Sequence, residues 1–141
     1  MDYHYLQNSL YQNAAMGITA LRQVIPAVRD SGMKEILLKQ YKGYKTQTEL
    51  TSAQMKSRGM TPEEPSASAK FMARATAAMK LRRDSSSENI AKMLIKGTNT
   101  GIIELTEKLN KTTSDFPEAV TSAKEYLRRE QSYIESLKPY L

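Results

Sequence analysis

The sequence predicts an all-α protein, a four-helix bundle with a shorter crossover helix between its second and third long helices. Apolar residues recur every three or four positions along five stretches, the spacing that gives a helix one apolar face. Glycine, proline and capping residues separate these stretches. Hydrophobic residues make up 40% of the 141 residues and charged residues 26%, which is typical of a folded domain. We therefore expect one domain covering residues 1–141.

The first predicted helix covers residues 3–30. Pro26 lies near its end, and proline lacks an N–H group while its ring clashes with the preceding turn. We therefore expect the last turn to be kinked, or the regular helix to end before it. The apolar stripe consists of Tyr3, Leu6, Leu10, Ala14, Ile18, Leu21, Ile25 and Val28.

The second predicted helix covers residues 33–58 and should form an antiparallel hairpin with the first. The segment Asp30-Ser31-Gly32 is typical of a break before it, and Gly59 occupies the position after a helix that favours glycine. Its stripe consists of Leu37, Tyr41, Tyr44, Thr48, Thr51 and Met55.

A connector with two prolines leads to a shorter predicted helix at 67–82 that is strongly basic. Between Ser66 and Arg83 there is no acidic residue. A crossover helix packed on the bundle is the first interpretation, and contact with an anionic membrane surface or a phosphate backbone is the alternative. The bases that would make this contact are Lys70, Arg74, Lys80, Arg82 and Arg83.

Two further long helices are predicted at 88–111 and 117–138. Ser85 and Glu88 have the spacing of a capping box for the first of them. Its stripe contains Ala91, Leu94, Thr98, Ile102, Leu105 and Leu109, and that of the last helix Val120, Ala123, Leu127, Glu130, Ile134, Leu137 and Leu141.

Gly97 and Gly101 lie on one face of the helix at 88–111, although each glycine costs a helix roughly 1 kcal/mol. The first interpretation is a close helix crossing against Gly17, with Thr98 and Asn99 bonding across the gap. The alternative is a groove that admits a ligand or a second subunit.

The lengths of the connections predict the order of the long helices. The first and last connections are short, and a crossover helix of about 15 residues spans about 22 Å, enough to return the chain to the other end of the bundle. This gives an up-down-down-up order, which is that of ferritin-like bundles.

Two segments also resemble a known group of proteins. Leu10-Tyr11-Gln12-Asn13-Ala14-Ala15-Met16-Gly17 and Gly97-Thr98-Asn99-Thr100-Gly101-Ile102-Ile103-Glu104-Leu105 resemble uncharacterised ferritin-like four-helix bundle proteins of anaerobic Gram-positive bacteria. That group is related in fold to ferritin-like and spore-coat-like bundles. The resemblance implies a ferritin-like fold and implies little about activity.

A di-iron bundle takes a Glu from each of two helices and a Glu-x-x-His from each of the other two. The sequence contains no Glu-x-x-His, and its one histidine is His4. In the last helix the matching spacing is Glu130-Gln131-Ser132-Tyr133, with Tyr133 in the place of histidine. Glu104, Glu130 and Tyr133 are the weak candidates for a metal site in a degenerate metal-binding protein or oxidoreductase.

The chain has no cysteine, which excludes disulfides, thiolate metal sites and a cysteine nucleophile. We assign no catalytic residue and no cofactor, and we expect a structural or interaction protein that forms a homodimer or binds another protein. The surface would be that of the helix at 88–111 or at 67–82. No strong nucleic-acid or membrane signal is present, no stretch approaches the roughly 18 apolar residues of a spanning helix, and we expect a cytoplasmic location.

Overall fold

The computed structural model describes residues 2–112 and 115–141, and these residues form five α-helices and two short 3-10 helices. No β-strand occurs in this part of the chain, so the all-α prediction is confirmed. The 3-10 helices are Ile25–Ala27 and Lys138–Tyr140. The α-helices are α1 (Asp2–Val24), α2 (Ser31–Lys56), α3 (Ala67–Arg83), α4 (Ser87–Asn110) and α5 (Pro117–Leu137).

The helix ends follow local chemistry closely. Helix α1 ends at Val24, and Pro26 lies in the 3-10 turn that follows, as its ring and missing N–H predict. Helix α2 begins at Ser31, two residues earlier than predicted, because the Asp30 carboxylate accepts the Met33 N–H at 2.8 Å and caps the helix there. Gly59 has a φ of +72°, as expected for the residue after a helix.

The capping box predicted for α4 is wrong by one residue. The N-cap is Ser86, whose Oγ accepts the Asn89 N–H at 3.2 Å. The Asp84 carboxylate accepts the Ser86 N–H at 2.9 Å, and the Asn89 side-chain amide donates to the Asp84 carbonyl at 2.5 Å. These bonds fix the turn so that Ser86, and not Ser85, occupies the capping position.

Helix α1 contacts each of the other four α-helices. It is antiparallel to α2, because the Tyr3 hydroxyl at its start donates to the Gln54 carbonyl, while Arg22 at its end donates to the Tyr41 hydroxyl. The predicted hairpin of the first two helices is therefore present.

Helix α4 is antiparallel to α1, and α5 runs in the same direction as α1. The Lys108 ammonium near the end of α4 lies 5.7 Å from the centre of the Tyr5 ring. At the start of α5, the Phe116 ring centre lies 5.4 Å from that of Tyr3, and the Tyr126 hydroxyl donates to Asn13 ten residues further along both helices. The core lies between these helices and α2, and includes Leu6, Leu10, Leu21, Met33, Leu37, Met55, Ile90, Leu105 and Leu137.

Helix α3 packs mainly on the outer side of α1. The connector before it is fixed by the Tyr11 hydroxyl, which donates to Glu64, and by the Gln12 amide, which donates to the Glu63 carbonyl. Within α3, every residue of which is described, only Ala77 is buried. None of the described helices is long and apolar enough to cross a membrane.

Candidate functional site

A cavity of about 990 Å³ lies between α1, α3 and α4 and reaches inward to α5. Three glycines, Gly17, Gly97 and Gly101, are among the residues that line it. Of the described residues of α5, Glu130 and Tyr133 line the cavity. Its apolar wall includes Met16, Leu21, Val24, Met93, Leu94 and Leu105.

Glu130 is the one buried carboxylate among the described residues, with 3% of its surface exposed. Its Oε2 accepts the Tyr44 hydroxyl at 2.9 Å, and its Oε1 accepts the Gln40 amide at 3.1 Å. No cationic group in the described part of the chain lies within ion-pair distance of it. Two neutral donors from α2 therefore hold a carboxylate that makes no ion pair with a described residue.

Burial raises the pKa of Glu130 to about 7. The hydroxyls of Tyr44 and Tyr126, the charge of Arg129 and the Gln40 amide oppose this shift and do not cancel it. The Arg129 guanidinium itself donates to the Gln47 side chain at 2.6 Å. Near neutral pH, Glu130 is therefore divided between its charged and its neutral form.

Tyr133 is 5% exposed, and its hydroxyl has no hydrogen-bond partner among the described residues. Burial, with the charge of Glu130 as a smaller cause, raises the pKa of this hydroxyl well above its usual range. It is therefore a neutral phenol at physiological pH. A buried polar atom without a partner lowers the stability of a folded protein by about 1–3 kcal/mol, so this hydroxyl destabilises the site.

Gly17 allows Tyr44 to reach Glu130. A Cβ at Gly17 would lie 2.5 Å from the Tyr44 ring, closer than any side chain tolerates. The predicted contact of Gly17 with the glycines of α4 is therefore replaced by a contact with α2. The Tyr44 ring also lies 6.3 Å from that of Tyr126, at a tilt of 43°. Packing on both sides fixes the Tyr44 hydroxyl against the carboxylate.

Asn13 makes the bond between α1 and α4 that the sequence had led us to expect from Thr98 or Asn99. Its amide donates to the Gly101 carbonyl at 3.0 Å, and its oxygen accepts the Tyr126 hydroxyl at 2.6 Å. A Cβ at Gly101 would lie 2.9 Å from the Asn13 amide nitrogen, so Gly101 does lie at a close approach. The position of Asn13, one turn before Gly17 on the same helix, was the feature of the sequence that could have indicated this contact.

Gly97 does not take part in a close crossing. No atom of the described residues lies within 4 Å of the position that a Cβ would occupy there. The prediction that both glycines of α4 permit close packing is therefore wrong at Gly97, because that side of the helix faces the cavity. The alternative interpretation, a groove, agrees with this position.

The three weak candidates for a metal site differ in burial. Glu104 lines the cavity but is exposed, whereas Glu130 and Tyr133 are buried. Both Glu130 oxygens already accept hydrogen bonds from α2. In the described part of the chain, no group of three or more His, Cys, Asp or Glu side chains could hold a metal ion.

The bases of α3 are mostly exposed, and so are three of its large apolar side chains. Arg74, Lys80, Arg82 and Arg83 are exposed, whereas Lys70 is half-buried with its ammonium 3.4 Å from the Glu64 carboxylate. The apolar side chains are Phe71, Met72 and Met79, which are 63%, 63% and 59% exposed.

Comparison with protein families, characterised proteins and solved structures finds no match to this chain. The residues of the cavity and of α3 are therefore the basis for any statement about function.

Proposed function

We propose that this protein is a non-catalytic, ferritin-like structural or interaction protein of the bacterial cytoplasm, without a di-metal centre, that acts as a homodimer. The helix directions support the ferritin-like part of the proposal. Helices α1 and α5 run one way while α2 and α4 run the other, which agrees with an up-down-down-up bundle in which α3 is the crossover. The resemblance of the segments at 10–17 and 97–105 supports the bacterial assignment.

The outward face of α3, defined by Phe71, Ala75 and Met79, is the observation that carries the interaction role. These residues are four positions apart, so they form one stripe along the helix. Each of the three is exposed and lies outside the cavity lining. Exposed apolar side chains that form a continuous stripe are typical of a protein interface, whereas isolated ones are common on any surface.

A symmetric pair of α3 helices would cover this face. In an antiparallel arrangement with Ala75 near the two-fold axis, Phe71 of one copy lies beside Met79 of the other, and the same contact occurs twice. The small side chain of Ala75 lets the two helices approach closely at the centre. We therefore propose this face of α3, and not the surface of α4, as the dimer interface.

The test is the oligomeric state, measured by sedimentation velocity over a wide range of concentrations. We expect a concentration-dependent dimer that the double change F71S/M79S converts to a monomer with an unchanged helical circular dichroism spectrum. Ile103, which is 52% exposed on α4, provides the matched control. Dimerisation that is lost in I103S and kept in F71S/M79S would contradict the α3 interface, and so would a wild-type chain that stays monomeric.

The metal-free part of the proposal is tested by elemental analysis of protein purified from cells grown with added iron and manganese. We expect neither metal at a near-stoichiometric level. Near-stoichiometric metal that is lost in E130Q would instead favour the rival function, a degenerate metal-binding protein or oxidoreductase that uses Glu104, Glu130 and Tyr133.

The bases of α3 favour a second candidate function, binding to an anionic surface. Phe71, Met72 and Met79 would enter the lipid interface while Arg82 and Arg83 contact the head groups. Co-sedimentation with phosphatidylglycerol vesicles and titration with duplex DNA would measure this binding. We expect R82E/R83E to abolish it and K34E/K39E, the same charge change at exposed positions of α2, to preserve it. Equal binding by both variants would contradict this function.

A further inference from the structure

We propose that the cavity between α1, α3 and α4 binds an organic ammonium ion with an apolar tail, whose ammonium group contacts the Glu130 carboxylate and the Tyr133 hydroxyl. This site is independent of the α3 interface, since it uses the inner end of the cavity and not the outward face of α3.

The first argument is charge. Glu130 lines the cavity, is almost fully buried, and has no ion pair among the described residues. A buried charge is costly unless an opposite charge accompanies it. The neighbouring cation, Arg129, donates instead to Gln47. A ligand ammonium at the inner end of the cavity would supply the missing counter-ion.

The second argument is the hydroxyl of Tyr133. Tyr133 lies one turn after Glu130 on α5 and lines the same cavity, and its buried hydroxyl has no partner among the described residues. A primary ammonium group has three N–H donors, and the carboxylate and the phenol oxygen can accept two of them. The rings of Tyr44 and Tyr133 add aromatic surface, which attracts cations.

The third argument is the form of the cavity. Its volume of about 990 Å³ is at the upper end of the range for small-molecule sites. Leucine and methionine side chains form much of its wall, and Gly97 leaves it wide. The outer part of the lining carries equal numbers of negative and positive side chains, which are Glu63, Glu64, Glu104, Lys80, Lys96 and Lys108. Among the described residues of the lining, Glu130 is therefore the one buried charge without an opposite charge to match it.

The probe is n-octylammonium chloride, with sodium octanoate and octanol as ligands of the same tail and different head groups. Binding is measured by calorimetry and by chemical-shift changes of the Tyr133 amide at about pH 8, where Glu130 is largely charged. We expect saturable binding of octylammonium that is at least about tenfold tighter than that of octanoate or octanol. Equal affinity for the three would overturn the proposal and leave only an apolar groove.

Two variants and a matched control locate the site. We expect E130Q to weaken octylammonium binding at least about tenfold, and Y133F to weaken it by a smaller factor. Glu107, exposed on α4 and outside the cavity lining, is the matched control, and E107Q should bind as the wild type does. Unchanged affinity in E130Q would overturn the proposal.

A third change, G97L, keeps the test valid if E130Q does not fold. Gly97 lines the cavity and the space round a Cβ there is open, so a leucine side chain at this position would occupy part of the cavity. We expect it to reduce octylammonium binding while the protein stays folded. Full binding by a folded G97L variant would place the probe elsewhere and contradict the proposed site.

Discussion

At the scale of single residues, the position of Glu130 depends on Tyr44, and that of Tyr44 depends on Gly17, although the three lie on different helices. The absence of a side chain at Gly17 makes room for the Tyr44 ring, and the Tyr44 hydroxyl holds the Glu130 carboxylate at 2.9 Å. The carboxylate in turn borders the cavity. A change in α1 therefore alters the chemistry of a group on α5.

Two glycines of the cavity wall, Gly97 and Gly17, should respond differently to alanine. G97A should raise the free energy of unfolding by about 0.5–1 kcal/mol, because alanine favours the helix and nothing in the described residues obstructs its Cβ. G17A should lower it by about 1–3 kcal/mol, because its Cβ overlaps the Tyr44 ring. Urea unfolding monitored by circular dichroism measures both. Equal effects at the two positions would contradict the packing described here.

Glu130 should make the stability of the protein depend on pH. Its pKa is about 7 in the folded protein, whereas the ordinary pKa of a glutamate side chain is 4.5, so between these values the folded state keeps a proton that the unfolded state has lost. Stability due to this group is therefore fully present below pH 4.5 and is lost as the pH rises through 7, by about 3 kcal/mol in all. The charged carboxylate, and not the protonated one, is the destabilising form.

The measurement is the free energy of unfolding of wild type and E130Q from acid to alkaline pH. Relative to the wild type, E130Q should gain about 3 kcal/mol between pH 4 and pH 9, because glutamine has no proton to lose. E107Q, the same change at an exposed position, should follow the wild-type curve in parallel. Parallel curves for E130Q would show that the carboxylate is not desolvated in solution.

At the scale of the helices, the N-cap of α4 gives two adjacent serines, Ser85 and Ser86, different roles. S86A should cost about 1 kcal/mol of unfolding free energy, because the Ser86 Oγ accepts the Asn89 N–H in the first turn of the helix. S85A, one residue earlier, should have little effect. Thermal unfolding of both variants measures the difference, and a larger loss in S85A would restore the capping box that the sequence had predicted.

The positions of the helices could be predicted from the sequence because their signals are local. Pro26 and Gly59 act through their own backbone, so α1 does end before Pro26 and Gly59 does adopt a positive φ. The two helices nevertheless end at Val24 and Lys56, earlier than the predicted residues 30 and 58. The partner of Gly17 could not be predicted, because a glycine shows only that something approaches and does not identify it. From the sequence, Tyr44 of α2 and the small residues of α4 were equally suitable partners for Gly17. Only the packing of the helices in three dimensions decides between them.

The candidate site could be predicted only in part, because some of its residues carry a local signal and others come together only in the folded protein. Glu130 stood out as an acid on an apolar stripe, and it is buried. Its donors Tyr44 and Gln40 lie 86 and 90 residues away, so no local pattern connects them. Asn13 was missed despite its position one turn before Gly17, because a polar residue on a helix is usually solvated.

At the scale of the whole molecule, α3 is an outer layer that packs mainly on α1 and forms one wall of the cavity. Among its described residues only Ala77 is buried, so few apolar contacts oppose its local opening. We expect amide hydrogens of α3 to exchange faster than those of α1, measured by mass spectrometry on peptides of each helix. Saturating octylammonium should slow exchange in α3, and F71S/M79S should leave this slowing intact. Protection of α3 equal to that of α1 would contradict the layered arrangement.

The two bonds of Asn13 also have a consequence for the angular setting of the helices. Its amide donates to α4 and its oxygen accepts from α5, so one side chain is satisfied only when α1 faces both helices at a single rotation about its own axis. Each residue advances a helix by about 100°. A one-residue insertion before Asn13 would therefore rotate the first turns of α1 by about 100° relative to that side chain. The side chain is thus an angular reference against which α1, α4 and α5 are aligned.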